Sequence, residues 1–279
     1  MRQPTLWEIS PANDWCQRWR HRQHSWTHKS AGGFNADDYT VEAIPEAIAK
    51  DYIITNHYAA SYSGINHRFG LFDRDQLVGV AGFGSPGSPT VLPSVFPELR
   101  PYKESCELNR LVLDDEVPGN AETWFIARCF EQLVIAGFKA VVSFSDPVPR
   151  TLNGQTIFAG HIGTIYQAKG AVYTGKSKGR PKWLLPNGTV LDERNVSKVR
   201  NQERGHEGVE RRLMALGATV PRAEQTGADW LDQALSDLGA EKFWHSGQHR
   251  YAFPLGSGRE KAQVRIKGGP FPYPKKEAA

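Results

Sequence analysis

Apolar and polar residues alternate along the middle of the chain in a pattern that predicts strands and helices in turn. Two apolar runs around the polar turn Asp73–Gln76 predict a β-hairpin over residues 68–83. Residues 107–113 and 140–144 are short apolar runs typical of buried strands. Apolar pairs recur at helical spacing over residues 125–134. These periods predict a mixed sheet with helices packed on it.

The boundaries of these elements carry their own signals. Asn120 is expected to cap the helix that follows it, and Gly137 is expected to end that helix. A short helix is predicted between His161 and Gly170. The remaining expectations are two strands (172–174 and 249–255), two surface loops (84–101 and 150–160), a basic flexible segment (175–182) and a polar helical stretch (195–216). The expected fold class is α/β (α+β), with a mixed, mostly antiparallel central sheet flanked by helices.

Charge divides the chain into three parts. The 279 residues carry a net charge of +4, made up of +3 in residues 1–30, −6 in residues 31–175 and +7 in residues 176–279. Basic flanks suit a polyanion because phosphate contacts release counterions. The alternative is that these cations only keep the protein in solution. If the polyanion is double-stranded DNA, the residues expected to contact it are Arg18, Arg20, Arg22, Lys176, Lys178, Arg180 and Lys182.

The N-terminal stretch interleaves aromatic and basic residues. Trp15, Trp19 and Trp26 are spaced for one face of an amphipathic helix, which favours a structural role for them. The basic residues between them are free to meet phosphates. Residues 1–50 are therefore expected to form a basic, Trp-rich extension, residues 51–279 a catalytic domain, and residues 175–248 a basic helical insertion before the last strand.

Composition excludes several classes of protein. Hydrophobic residues make up 39% and charged residues 23%, which is ordinary for a globular domain. No apolar run is long enough to span a membrane, and the N-terminus lacks a signal-peptide core. The three cysteines lie at 16, 106 and 129 without metal-site spacing. These features predict a reduced, cytoplasmic protein with no membrane partner.

Arg110 and Asp146 are the first candidates for chemistry. Arg110 interrupts an apolar strand, so it needs either an anion or hydrogen-bond partners, and Glu107 is one possible partner. Asp146 lies at the carboxyl end of a strand, a frequent position for site residues. Its alternative role is to cap the turn before Pro147.

Histidine and tyrosine side chains add acid–base and metal-binding groups. His57 and Tyr58 precede the hairpin, and His161 and Tyr166 lie at the predicted short helix. If the fold brings them to Asp146, these groups can transfer protons or bind a metal. No P-loop, H-E-x-x-H or G-x-S-x-G motif is present.

Several ordered blocks resemble the Mom family of phage DNA-modification proteins. The blocks are Glu107-Leu-Asn-Arg-Leu-Val-Leu113, Asn120 with Thr123 and Phe125-Ile126, Ser143-Phe-Ser-Asp-Pro147, Gly160-His-Ile-Gly-Thr-Ile-Tyr-Gln-Ala168, Val172-Tyr-Thr-Gly175, His249-Arg-Tyr251 with Pro254-Leu255, and Pro272-Tyr-Pro-Lys275. The resemblance implies a fold like that of the GNAT acyltransferases. It also implies conversion of adenine in DNA to an N6-carbamoylmethyl derivative, which protects phage DNA from host restriction.

The resemblance also assigns roles to residues. It implies catalytic functions for Arg110, Asp146 and Tyr166, with Thr123 and Ser143 as hydroxyl-bearing members of the site. A second set implied by it is a metal site at His57, Tyr58 and Asp146, for iron or another divalent metal.

The donor of the transferred group stays open. Acetyl-CoA is one option, but residues 114–120 lack the glycine-rich pyrophosphate loop of ordinary GNAT enzymes, and their three acidic side chains repel a pyrophosphate. An aminoacyl-tRNA or another glycine-derived donor suits the basic flanks. Two other functions compete with DNA modification: a GNAT enzyme that acylates a protein or small amine, and a non-enzymatic DNA-binding protein with a degenerate acyltransferase core.

Overall fold

A computed structural model describes residues 33–59, 61–62 and 64–275 in full, and the backbone alone of residues 15–20 and 23–28. The strands are β1 (Trp15–Arg20), β2 (Gln23–His28), β3 (Tyr39–Ala43), β4 (Ile65–Asp73), β5 (Gln76–Gly84), β6 (Ser105–Leu113), β7 (Ala140–Ser145), β8 (Arg150–Leu152), β9 (Gln155–Phe158), β10 (Val172–Lys176), β11 (Arg180–Leu184), β12 (Val190–Leu191), β13 (Glu241–His245) and β14 (His249–Pro254). The helices are α1 (Glu46–Asn56), α2 (Val91–Val95), α3 (Ala121–Ile135), α4 (Thr164–Ala168), α5 (Glu193–Arg200), α6 (His206–Ala215), α7 (Gly227–Asp237) and α8 (Gly258–Gln263).

The chain forms two compact units. The first combines the residues up to 149 with 158–177 and those from 248 onward, and the second combines 150–157 with 178–247. In the first unit, a seven-stranded sheet has the order β10-β14-β7-β6-β5-β4-β3. Only β6 and β7 pair in parallel, so the predicted mixed and mostly antiparallel sheet is confirmed.

Helices cover both faces of this sheet. On one face, Phe125, Ile126 and Cys129 of α3 are fully buried in the largest apolar cluster. On the other face, Ile53 of α1 packs in a separate cluster with Val112. The periodic apolar residues of α3 thus form the contact that the sequence predicts.

A β-bulge in β6 decides which side chains share a face. Leu108 lies opposite Phe83 and Arg110 lies opposite Gly82, so Asn109 is the extra residue. One inserted residue reverses the alternation of the strand. Before the bulge, Leu108 joins the α3 cluster; after it, Leu113 joins that cluster and Val112 joins the α1 cluster. Arg110 therefore points to the same face as Glu107, although an unbulged strand would place them on opposite faces.

The parallel pairing of β6 with β7 stops early. It runs from Ser105 opposite Ala140 to Leu108 opposite Ser143, while β6 continues to Leu113. Beyond Leu108, β6 pairs only with β5. The bulge and the end of the pairing thus coincide, which places Arg110 where the sheet no longer continues on its β7 side.

Four local expectations are corrected. Residues 84–101 contain α2, because Leu92 and Val95 bury completely between the prolines. Residues 150–160 contain the hairpin of β8 and β9. Part of the basic segment 175–182 is regular structure, since β10 ends at Lys176 and β11 begins at Arg180. The polar stretch 195–216 is helical, as expected, but it is interrupted by residues 201–205 between α5 and α6.

The start of α3 also differs from expectation. Asn120 precedes the helix, but its backbone is left-handed (φ 75°) and its side chain makes no capping hydrogen bond. Instead, the Thr123 hydroxyl donates to the Asn120 carbonyl at 3.0 Å. The Thr123 side chain therefore makes a local hydrogen bond at the first turn of α3.

The N-terminal segment is an antiparallel hairpin of β1 and β2, not the helix that the tryptophan spacing predicts. Only three positions supported a helix, and tryptophan itself is enriched in strands. The backbone of β1 lies beside β6 and α1. The expected boundary at residue 50 falls within α1, and β3 before it is the edge strand of the main sheet.

The second unit has its own core. Its three-stranded sheet has the order β12-β11-β13, and its helices α5, α6 and α7 bury Val199, Leu213 and Trp230. The Trp230 indole N–H donates to the Thr219 carbonyl at 2.8 Å, which satisfies its polar edge in the core. In the part of the chain that the structure describes, no helix is long and apolar enough to cross a membrane.

Candidate active site on the bulged strand

Arg110 is held by the loop that follows α1. Its Nε donates to the Ser61 carbonyl at 3.0 Å, its Nη2 to the Ser61 hydroxyl at 2.7 Å and its Nη1 to the Asn109 carbonyl at 2.6 Å. No carboxylate within the described residues forms an ion pair with it. The guanidinium is thus fixed in place while its charge stays unneutralised and two of its five N–H groups stay available.

Glu107 shares the face of Arg110 but does not form the ion pair considered from the sequence. Burial raises the pKa of the Glu107 carboxyl to about 8, against the positive charge of Arg110, which lowers it. A carboxyl with this pKa is largely protonated at neutral pH. It resembles the groups that act in general acid–base catalysis, whose pKa values lie near the working pH.

His57 is buried and neutral. Its pKa lies well below the usual range because of burial and because of the nearby positive charges of Arg110 and His161. The Ala59 N–H donates to Nδ1 of His57 at 3.1 Å, so the proton of the neutral ring lies on Nε2. His57 therefore presents a hydrogen-bond donor without adding a charge.

Aromatic rings extend this site from His57. Tyr58 stacks on His57 with ring centroids 4.2 Å apart and on Phe158 at 4.6 Å. His161 meets the edges of Tyr58 and Phe158 at 6.3 and 6.1 Å. The sequence separation between these rings, about a hundred residues, shows that the segment before α4 folds back to the end of α1.

Tyr166 approaches the same charges from α4. Burial raises the pKa of its phenol, a hydrogen bond with Ser143 lowers it, and both Glu107 and Arg110 are close enough to influence it. Gly163 permits this packing: its φ is 74°, and an added Cβ would lie 2.8 Å from the Tyr251 ring and 2.9 Å from the Tyr166 ring. Tyr166 keeps its proton at neutral pH and can donate a hydrogen bond.

Asp146 is buried at the end of β7 and caps the following turn. Its Oδ1 accepts the Val148 N–H at 3.0 Å, and its carbonyl accepts the His161 N–H at 2.7 Å. The turn-capping role considered from the sequence is therefore present. The second bond ties the end of β7 to the segment that carries His161 and Tyr166.

The structure brings together some of the candidate residues and not others. Tyr166 bonds to Ser143 and lies near Arg110, and His57, which stacks on Tyr58, also lies near Arg110. The catalytic roles that the resemblance implies for these residues stay predictions. The Thr123 hydroxyl is bonded to the α3 backbone. Of the cations expected to meet DNA, Lys176 and Lys178 are exposed, Lys182 is half-buried, and Arg180 forms an ion pair with Glu193. Arg18 and Arg20 lie on β1, of which only the backbone is described, and Arg22 lies outside the described residues.

The proposed metal ligands are a weak fit to a metal ion. Nδ1 of His57 already accepts a backbone N–H, and Oδ1 of Asp146 does the same. The described residues contain no group of three or more His, Cys, Asp or Glu side chains placed to hold a metal. Iron or another divalent ion at His57, Tyr58 and Asp146 stays a prediction, and no step proposed below passes through a metal.

Sequence reasoning missed Glu107 as a functional residue and did not single out Ser61. Glu107 and Arg110 are three residues apart, and such residues share a strand face only where the strand is bulged, which the pairing with β5 decides. The glycines at 82 and 84 opposite them are typical of such a site.

A model of the Mom protein family matches residues 38–275. The chain belongs to the Mom protein family. Membership of the Mom family supports a transferase. No curated protein sequence is significantly similar to the chain.

Several solved structures show distant similarity. A tandem GNAT protein from the clavulanic acid biosynthesis pathway is 11% identical with a TM-score of 0.41, over 79% of this chain and 99% of that one. A Bacillus subtilis acetyltransferase in complex with CoA is 8% identical with a TM-score of 0.35, over 78% of this chain and 99% of that one. A GNAT acetyltransferase from Elizabethkingia anophelis with acetyl-CoA bound is 9% identical with a TM-score of 0.26, over 44% of this chain and 94% of that one. At these scores the likeness transfers neither ligand nor activity.

Proposed function

We propose that this Mom-family protein transfers a carbamoylmethyl-type group to N6 of adenine in DNA. The observation that carries the proposal is that a fixed guanidinium (Arg110) shares a sheet face with a carboxyl whose pKa lies near neutrality (Glu107). The neutral side chains of His57 and Tyr166 both lie close enough to Arg110 for its charge to influence them. Group transfer to a weak amine nucleophile requires these three functions: charge stabilisation, proton acceptance and positioning.

Arg110 and His57 are suited to the negative charge that develops during transfer. When N6 attacks the donor carbon, the N–C bond forms and the bond to the leaving group breaks, with its electron pair on the leaving group. Preorganised donors aimed at that charge contribute about 10²–10³-fold each in rate. The Ser61 hydrogen bonds hold the guanidinium in place before the donor arrives, so little reorganisation is needed.

Glu107 is suited to accept the amine proton. The exocyclic amine is a poor nucleophile because its lone pair is delocalised into the ring, and it must lose a proton as the new bond forms. A carboxylate of pKa about 8 is a stronger base than an ordinary one. Asp146 has part of its hydrogen-bonding capacity occupied by the turn, so Glu107 is the better candidate for this role.

The target base is expected to leave the duplex stack, because N6 is paired and stacked in double-stranded DNA. The Ser143 hydroxyl donates to the Leu108 carbonyl, so the Tyr166 phenol donates to Ser143, and its ring is suited to stack on the extruded adenine. Exposed cations such as Lys176 and Lys178 are suited to phosphate contacts. A carbamoylmethyl group is attached through its methylene carbon, so direct transfer needs a donor that carries its leaving group on that carbon. An aminoacyl-tRNA, another glycine-derived molecule and acetyl-CoA all stay open as the source of the donor.

The decisive experiment is mass spectrometry of nucleosides digested from DNA of cells that express the protein. The wild-type chain should produce a modified adenosine, and Arg110→Ala should abolish it. Arg128→Ala is the matched control, because this arginine on α3 pairs with Glu131 at the surface at 2.6 Å and should leave modification unchanged.

Three outcomes would contradict the proposal. Unmodified adenine with well-expressed wild-type protein argues against DNA modification. A thermal shift with acetyl-CoA but none with DNA favours acylation of a protein or small amine instead. Salt-dependent DNA binding and biological effect that both survive Arg110→Ala favour a non-enzymatic binding protein.

A further inference from the structure

One face of the sheet in the second unit carries two tryptophans and a lysine. In the pairing of β11 with β13, Pro181 lies opposite Trp244 and Trp183 lies opposite Lys242. Directly opposed residues project to the same face, and residues two apart on one strand do so as well. Pro181, Trp183, Lys242 and Trp244 therefore share one face of the sheet, here called the tryptophan face. Trp183 is half-buried against the helical core, and the other three side chains are exposed.

Trp244 is exposed and yet fixed. Its side chain is 66% exposed, the most of any tryptophan in the described residues. A Cβ added at Gly179 would lie 2.9 Å from Cζ2 of Trp244, so the indole rests directly on the Gly179 backbone. Exposure of a large aromatic ring is unfavourable in water, and contact with the backbone limits its motion. An exposed ring held in this way is preorganised to stack on a planar partner.

The neighbouring side chains make the surface basic as well as aromatic. Trp183 packs partly against the helical core of the second unit, and Nζ of Lys242 lies 5.7 Å from the centroid of its ring. Lys242 and the nearby Lys178 are exposed, and neither forms an ion pair within the described residues. The acidic residue of β13, Glu241, alternates to the opposite face. The tryptophan face thus combines stacking surface with unneutralised positive charge.

We propose that the tryptophan face binds unpaired nucleotides of a DNA strand, with a base stacked on Trp244 and phosphates at Lys242 and Lys178. Aromatic side chains interleaved with cations are the usual means of holding single strands without sequence preference. A protein partner would need a larger apolar area than one indole and a half-buried second ring provide. The inference rests on the proposed function, since transfer to N6 requires DNA that is locally unpaired.

The test measures binding of a fluorescein-labelled dT25 oligonucleotide by fluorescence anisotropy, with the full chain. This probe contains no adenine, so it reports on the tryptophan face and not on the transfer reaction. Trp244→Ala should weaken binding about 5- to 100-fold, as expected for the loss of stacking on one base. Trp244→Phe should recover most of the affinity. Val220→Ala, a similarly exposed apolar position in the same unit, should change nothing.

Salt dependence separates stacking from charge. Lys242→Ala should reduce the slope of log affinity against log salt by about 0.7, whereas Trp244→Ala should lower affinity and leave the slope unchanged. Failure of the wild-type chain to bind dT25, or equal affinity for wild type and Trp244→Ala, would overturn the inference. Loss of dT25 binding in Trp244→Ala together with unmodified adenine in the nucleoside experiment would sink the proposed function alone.

Discussion

The two units of the chain place their charges in contrasting environments. In the first unit, Glu107 and Arg110 lie on one sheet face, where burial moves the carboxyl pKa to about 8. In the second unit, exposed ion pairs such as Arg200–Asp232 at 3.1 Å lie on helix surfaces. Exposed pairs are screened by water and contribute little stability. Burial therefore shifts the pKa of a carboxyl in the first unit, whereas exposed charges, which the surface of the first unit also carries, keep their contact with water.

Among these substitutions, Glu107→Gln should have the largest effect on the rate of adenine modification. Loss of a general base lowers transfer about 10²–10⁴-fold. In the wild type, the rate should rise with pH through an apparent pKa near 8, and the variant should lack this rise. The measurement is the pH profile of adenine modification in vitro.

The same substitution makes a stability prediction with a defined sign. A carboxyl with a raised folded-state pKa binds more protons in the folded than in the unfolded protein, so stability should fall as pH rises from about 4.5 to about 8. Glu107→Gln should remove that fall. Glu104→Gln is the control, because hydrogen bonds from Arg100 and Lys139 hold the Glu104 pKa at about 2. A control that altered the rate profile as Glu107→Gln does would break the assignment.

Trp230→Ala should show whether the second unit can unfold while the first unit stays folded. The side chain is 2% exposed, and its truncation should destabilise the second unit by about 3–5 kcal/mol. Hydrogen exchange with mass spectrometry should show lost protection in α5, α6 and α7, with protection of β4 to β7 retained. Equal loss in both units would mean that they unfold together. Val220→Ala serves as the exposed control in the same unit.

Lys178→Ala should have the smallest effect, and that effect should fall on DNA affinity and its salt dependence. Removing one exposed cation should weaken duplex binding a few-fold and reduce the salt slope by about 0.9, with no change in the rate at saturating DNA. The comparison is Arg128→Ala in the first unit, where the charge already pairs with Glu131. A large loss of rate at saturation in Lys178→Ala would place this residue in catalysis and remove the contrast between the units.

Local patterns were sufficient where each element has one strong period. The hairpin of β4 and β5, the strands β6 and β7 and the helix α3 follow from alternation or helical spacing. Patterns failed where two periods compete. In the N-terminal segment, three tryptophans fit a helix but the chain pairs as strands, and in residues 84–101 prolines concealed the buried residues of α2.

The site was predictable in part. The ordered blocks identified Arg110, Ser143 and Tyr166, which do converge. Glu107 was considered only as a partner of Arg110, because nothing in the sequence states which face of a strand each residue occupies after a bulge. The Thr123 hydroxyl donates to the backbone carbonyl of Asn120 at the start of α3. This local hydrogen bond occupies the hydroxyl that the resemblance implies for the catalytic site.

The sequence by itself determined the order of the main elements, the basic ends and the family to which the chain belongs. The tertiary structure alone decided that Asn109 is the extra residue of β6, and with it that Glu107 and Arg110 share a face. The physical reason is that strand alternation has a period of two, so a single inserted residue exchanges the faces of every side chain beyond it. Such an insertion depends on the partner strand, and no local pattern encodes it.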